Sequence, residues 1–300
     1  MSSRAWLAFL ALGIIWGVPY FFIKLAVQEL SPWLIAWARI VLATLILLPI
    51  AWRRGALRPL LAHKRSICAF ALAEFAVPFA AIAMAERWIS SSIAGILTAT
   101  IPLIIALISR FFGVHERFGP WRVLGLLIGL SGVIALLGLG SISGPLGWAG
   151  VGCMALAIIG YAIGPLIVQR HLKLIDPFGP IAASLFIASL ILLPAALCSF
   201  PAQMPSTLAL LSIAVLGVVC TALAMLLMFY LIGHAGAART SVITYINPAV
   251  ASLLGVAILH EHLGVSGLIG LALILSGSWF ATRGAPAVPG AGGEAPAVGN

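Results

Sequence analysis

Charge is scarce in this chain. Only 8% of its 300 residues are Asp, Glu, Lys or Arg. A soluble domain of that length needs a charged surface to stay in solution, and this one cannot build it. Acid is scarcer still, with 7 Asp and Glu against 16 Lys and Arg. Cysteine is limited to Cys68, Cys153, Cys198 and Cys220, none in a CxxC pair. That excludes a disulfide framework and a cysteine metal site, and makes the four small buried hydrophobes by expectation. Neither a DxxxD-type metal motif nor a recurring His/Asp/Ser constellation is present, so the chain reads as a non-enzyme without cofactor or metal.

What the chain has is hydrophobicity, 63% of residues, with a mean hydropathy of +1.20. The apolar residues come in long runs rather than amphipathic stripes, which makes lipid the solvent. Ten spans are expected, at 5–28, 32–52, 65–86, 90–112, 120–138, 145–170, 177–199, 206–232, 237–258 and 264–283. Each is near the ~20 residues that cross a hydrocarbon core. Turn residues separate several of them: Ser31-Pro32, Gly119-Pro120, Ser143-Gly144-Pro145, Asp176-Pro177 and Met204-Pro205. The first run is too long for a signal-peptide core and no A-x-A-like site follows it, so it is expected to remain as a helix. The tail, 284–300, is rich in Gly, Ala and Pro and is expected to be disordered.

Placing the N-terminus in the cytoplasm puts 13 of the 16 Lys and Arg on that side: Arg4, Arg53, Arg54, Arg58, Lys64, Arg65, Arg110, Arg117, Arg122, Arg170, Lys173, Arg239 and Arg283. Arg87 falls outside, and Lys24 and Arg39 within spans. Basic residues favour cytoplasmic loops, so both termini are expected there, and the pI of about 10.1 needs no nucleic acid to explain it. Eight of the nine Trp sit near span ends, as interfacial rings do; Trp16 is the exception.

Sliding the chain on itself by 145 residues aligns Leu45-Ile46-Leu47-Leu48-Pro49 with Leu190-Ile191-Leu192-Leu193-Pro194. Pro32 then meets Pro177, Glu116 meets Glu261, Gly125 meets Gly270 and Gly132 meets Gly277, with Pro102 one residue from Pro248. Five spans per half is an odd number, so the second copy enters the membrane from the opposite side. The expected fold is an all-α polytopic membrane protein of ten transmembrane helices in two inverted five-helix repeats, 5–138 and 145–283. This is a plan of secondary transporters.

On these residues both halves resemble the EamA domain of the drug/metabolite transporter superfamily. The first copy carries Trp16-Gly17, Ser31-Pro32, Arg39, Pro102, Glu116, Gly125 and Gly132. The second carries Pro177, Pro248, Glu261, Gly270 and Gly277. It departs at Tyr161-Ala162, where the first copy has Trp-Gly, and at Ala182 and Ala183, near the equivalent of Arg39. Within the superfamily the chain is similar to the amino-acid exporters typified by YddG. The resemblance implies a bacterial inner (cell) membrane location and an exporter or facilitator working by alternating access.

Glu74 is the one acid read well inside a span, where a carboxylate is expensive. It stands as a proton-coupling group, an anchor for a substrate amine, or a structural hydrogen bond. Arg39 is its depth-matched partner at ~1.5 Å per residue, while Lys24 is read as snorkelling outward. Polar and aromatic residues gather where prolines break helices, and proline frees a carbonyl that a wet cavity can satisfy. The candidate substrate-binding residues are Trp16, Tyr20, Glu74, Pro78, Phe79, Thr98, Tyr161, Ser241, Tyr245 and Asn247. For each alone a kink or packing contact is the simpler reading; the cluster points to an aromatic cavity for an amphipathic solute. Neutral and aromatic amino acids are the expected cargo. A nucleotide-sugar carrier of the same superfamily is the alternative and a membrane-embedded transferase a further one. Coupling to protons stays open, as do monomer and homodimer. Gly125-xxx-Gly129 and Gly267-xx-Gly270 are read as close-packing seams. His115-Glu116 and His260-Glu261-His262 are read as capping or loop residues rather than a metal site.

Overall fold

The computed structural model describes residues 3–112, 119–138, 142, 144–235, 243 and 246–282. Among these, all regular structure is helical. Seven helical stretches are long and apolar enough to cross a membrane: Ser3–Ala26, Pro32–Arg53, Arg58–Ala85, Ser91–Ile108, Gly144–Leu172, Phe178–Leu197 and Thr207–Ile232. Three shorter apolar helices follow the same composition, Val123–Leu137, Asn247–Ala257 and Val265–Phe280. The beginning of the span expected at 237–258, with Ser241 and Tyr245, lies outside the described residues, as do His115-Glu116 and 283–300. Leu45, Leu127, Ile134 and Leu253 point outward into what must be lipid, because water would not tolerate so much exposed aliphatic surface. The chain is a polytopic membrane protein.

The expected breaks are visible. Helix α1 (Ser3–Gly17) gives way to α2 (Pro19–Ala26) at Pro19, which cannot donate to the preceding turn. Ser31 caps α3 (Pro32–Arg53), accepting from the Leu34 amide at 3.1 Å. The third span begins earlier than its expected start at 65. A 3₁₀ turn over Arg58–His63 leads into α4 (Lys64–Phe70), because Pro59 sits at the turn's start, where a missing N–H costs nothing. Then come α5 (Val77–Ala85), α6 (Ser91–Thr98), α7 (Ile101–Ile108), α8 (Pro120–Gly138), α9 (Gly144–Ile167), α10 (Phe178–Leu197), α11 (Thr207–Ala214), α12 (Ala224–Ala235), α13 (Asn247–Ala257) and α14 (Val265–Thr282). Three stretches widen to π-helix, Ala71–Ala76, Val168–Leu172 and Val215–Leu223.

Helix α8 packs along α14, α3 along α10, α5 along α9, α6 against α13, and α1 against α12. The α8–α14 seam is close because glycines line it. A Cβ added to Gly132 would sit 2.8 Å from the Ile274 amide, and one on Gly277 would run into the backbone of Gly125 and Gly129. Gly270 lies in this seam, but Gly267 faces Leu263 of its own loop and takes no part. The cysteines are free and only Cys220 is buried; Cys68 and Cys198 are exposed, correcting the expectation that all four are core residues. A thiol facing lipid is compatible with its weak polarity.

Candidate substrate site

Helices α2, α3, α5, α6 and α9, with the π segments Ala71–Ala76 and Val215–Leu223, bring polar and aromatic side chains together. Tyr20 on α2 is buried and its hydroxyl donates to Thr98 Oγ1 at 2.9 Å. Thr98 in turn donates to the Gly95 carbonyl at 2.7 Å, at the end of α6. Gly95 lets α13 approach, since a Cβ there would collide with Ala251.

Arg39, midway along α3, is 7% exposed. Its Nε donates to Thr221 Oγ1 at 2.8 Å, and its guanidinium lies 3.9 Å from the centroid of the Phe79 ring. Thr221 can accept because its hydroxyl donates elsewhere, to the Leu216 carbonyl five residues back at 2.8 Å, which the π widening makes reachable. Phe79 ends an edge-to-face run with Phe75 and Phe70, each step 5.8 Å. Tyr20, Tyr161 and Glu86 lie within electrostatic reach of the guanidinium, but no described carboxylate forms an ion pair with it.

The expected Arg39–Glu74 pair does not form. Glu74 sits in the Ala71–Ala76 π segment against α9, where Gly164 leaves the space its carboxylate fills. Its Oε2 is enclosed without a hydrogen-bond partner. Pro78 packs on Gly160 one turn away, and Tyr161 lies within electrostatic reach of both Arg39 and Glu74. Counting residues along two helices says nothing of the direction in which each side chain points.

Tyr20, Glu74, Pro78, Phe79, Thr98 and Tyr161 therefore share one region with Arg39. Trp16 packs elsewhere, in the seam of α1 with α12 beside Phe9, Leu12 and Leu231. Asn247 opens α13. With its amide nitrogen turned to the two carbonyls, it donates to Gly13 and Ile243 at 3.1 Å each and ties α1 to α13. Ser241 and Tyr245 lie outside the described residues.

Sequence reasoning missed Thr221, which is a small polar residue in an apolar run and carries no signal. It also missed Glu86, which it counted as the last residue of a span. Glu86 is fully buried with both carboxylate oxygens unpartnered. Lys24 lies nearby and is partly exposed. Its Nζ donates to the Glu86 and Ile89 backbone carbonyls at 2.7 Å each, a cation at a helix C-terminus. Glu261 accepts from the Ser91 and Ser92 amides at 2.7 and 2.9 Å and from Ser92 Oγ at 2.6 Å, capping α6 as its loop position suggested. No group of three or more His, Cys, Asp or Glu side chains is placed to hold a metal among the described residues.

Apolar helices thus surround a buried cation, a buried acid and several aromatic rings in a membrane-spanning bundle. Residues 3–138 and 148–283 each match the EamA-like transporter family, and the chain belongs to that family. It is 29% identical over 282 residues to the uncharacterized inner membrane transporter YedA of Escherichia coli strain K12, covering 92% of this chain and 90% of that one. An uncharacterized transporter of Archaeoglobus fulgidus is 23% identical over 289 residues, covering 94% and 98%. A protein of known crystal structure shares the fold with a TM-score of 0.65 at 20% identity, covering 94% of this chain and 97% of that one.

Proposed function

We propose that this transporter moves small amphipathic metabolites, foremost neutral and aromatic amino acids, by alternating access of two inverted five-helix repeats. The observation that carries the reading is Arg39, a cation buried among aromatic rings with no carboxylate paired to it among the described residues. An uncompensated charge at that depth is costly, and a substrate carboxylate relieves the cost when it binds. Glu74, with one oxygen unpartnered, offers the complementary anchor for an ammonium. Tyr20, Phe79 and Tyr161 supply the surface for an apolar side chain.

The two-fold relation is supported by packing. The 145-residue offset maps α3 onto α10 and α8 onto α14, and each packs on its own counterpart. The same offset exchanges the α5–α9 contact with the α12–α1 contact. An inverted pair of this kind has two near-equivalent arrangements, one open to each side. Ten spans put both termini on one side, and the distribution of Lys and Arg makes that side the cytoplasm.

The test is uptake by purified protein in liposomes of labelled tryptophan, phenylalanine, methionine and threonine, beside a nucleotide sugar. Arg39→Gln is expected to lower amino-acid flux by about tenfold or more, the loss of one charge-assisted contact. Flux of the nucleotide sugar without any amino acid would move the protein to that class of cargo. Glu74→Gln is expected to fold and to raise the apparent KM for amino acids. If it also abolishes the response to a pH gradient, Glu74 couples protons; unchanged KM and unchanged pH response together would remove it from the site.

A further inference from the structure

One wide apolar groove stands apart from the Arg39 region. It lies at the basic end of the bundle, between the last turn of α3, the 3₁₀ turn Arg58–His63, the start of α4 and the flank of α10. Its volume is about 810 Å³, and its walls are almost wholly apolar, among them Leu48, Leu61, Ile67 and Phe186. At one end Trp52 and Leu57 belong also to a second pocket of about 350 Å³ whose other walls are Arg53, Arg54, Gly55 and Arg58. The two spaces are therefore neighbours, one apolar and one cationic.

The backbone explains the juxtaposition. Gly55 takes a φ of +69°, which turns the chain back on itself after α3. Arg53 and Arg58 then face one pocket from opposite sides of the turn. Arg54 is held in place by the Phe178 ring, 4.9 Å from its guanidinium carbon. Arg53, Arg58 and Lys64, which sits on the rim of the groove, make no ion pair or side-chain hydrogen bond among the described residues. No acid occurs in the sequence between Arg53 and Glu74 to neutralise them.

We propose that this pair of pockets binds an anionic glycerophospholipid, its phosphate among Arg53, Arg54 and Arg58 and an acyl chain in the groove beneath Trp52. Guanidinium groups suit phosphate oxygens because their N–H donors match them two at a time. Trp52, 73% exposed, stands at the boundary where an amphipathic ring is stable. A soluble phosphate compound would leave the groove empty, and a zwitterionic lipid would leave the cations without a net counter-charge. The site rests on the membrane reading alone and is independent of the transported substrate.

The experiment places the intact protein in nanodiscs of equal parts phosphatidylglycerol and phosphatidylcholine with identical chains. The protein is then extracted, and its retained lipids are counted by native mass spectrometry. Phosphatidylglycerol is expected to be enriched about tenfold over phosphatidylcholine. Arg53→Gln with Arg58→Gln is expected to abolish the preference. Ala183→Phe, which fills the groove from α10 and leaves the cations untouched, is expected to abolish retention; if that variant does not fold, Leu61→Asp on the exposed rim carries the same test. Equal retention of the two lipids by the wild type would overturn the proposal. So would displacement of the lipid by millimolar glycerol phosphate, which would make this a site for free anions.

Discussion

Arg39 draws its surroundings from three distant parts of the chain: Phe79 under its guanidinium, Thr221 on its Nε, and Tyr161 within reach. That a lone cation in an apolar run would be buried was legible, because the run Pro32–Arg53 has no other charge before its end. Its partner was not, because Thr221 is 182 residues away and helical position gives height without azimuth. Tyr20 was legible for a similar reason, as a hydroxyl far from any interface. Its bond to Thr98 is buried and joins α2 to α6. Tyr20→Phe keeps the ring and is expected to cost about 1 kcal/mol of stability, read from the denaturant midpoint in detergent, while amino-acid uptake persists. A loss of uptake at unchanged stability would instead make the hydroxyl a substrate contact.

The breaks of individual helices were the part of the architecture most open to reading, since Pro19, Pro102 and Ser31-Pro32 each act through a missing donor or a cap. The π segments were not, because a widened turn inserts one residue without a marker in the sequence. Caps that cross the molecule were also hidden. Glu29, after α2, accepts from Ser206 Oγ at 2.5 Å and from the Ser206 amide at 2.7 Å, at the entrance to α11. These two bonds, the hydroxyl's first, hold the Glu29 carboxyl below its ordinary 4.5. A depressed carboxyl stabilises the fold above its unfolded pKa, and the contribution fades as pH falls through the lower folded value. The difference in melting temperature between wild type and Glu29→Gln is therefore expected to be positive near neutrality and to shrink to nothing in acid. A difference that grew on acidification would contradict this.

Across the whole molecule, the uneven distribution of Lys and Arg sets the expected orientation, and two exposed positions test it. In a background free of the four native cysteines, Arg58→Cys is expected to react with an impermeant maleimide only from the cytoplasmic side. Met204→Cys, between α10 and α11, is expected to react only from outside. Reaction of both from the same side would remove the odd number of spans between them. The apolar runs made the spans readable, but which helices touch was not, because lipid-facing and helix-facing leucines look alike in sequence. The caps supplied by Glu261 and Glu29 add a dimension of time. Ser91 is synthesised 170 residues before Glu261. At a translation rate of 5–20 residues per second the Ser91 and Ser92 amides wait roughly 10–30 s for that carboxylate. The first half thus leaves the ribosome with α6 capped by Ser90 alone, through the Ile93 amide, and the Ser91 and Ser92 amides gain their acceptor only when Glu261 follows. Glu29 waits in the same way for Ser206, 177 residues later. Each half carries a carboxylate that satisfies a helix start of the other, so the two halves complete each other's helix ends.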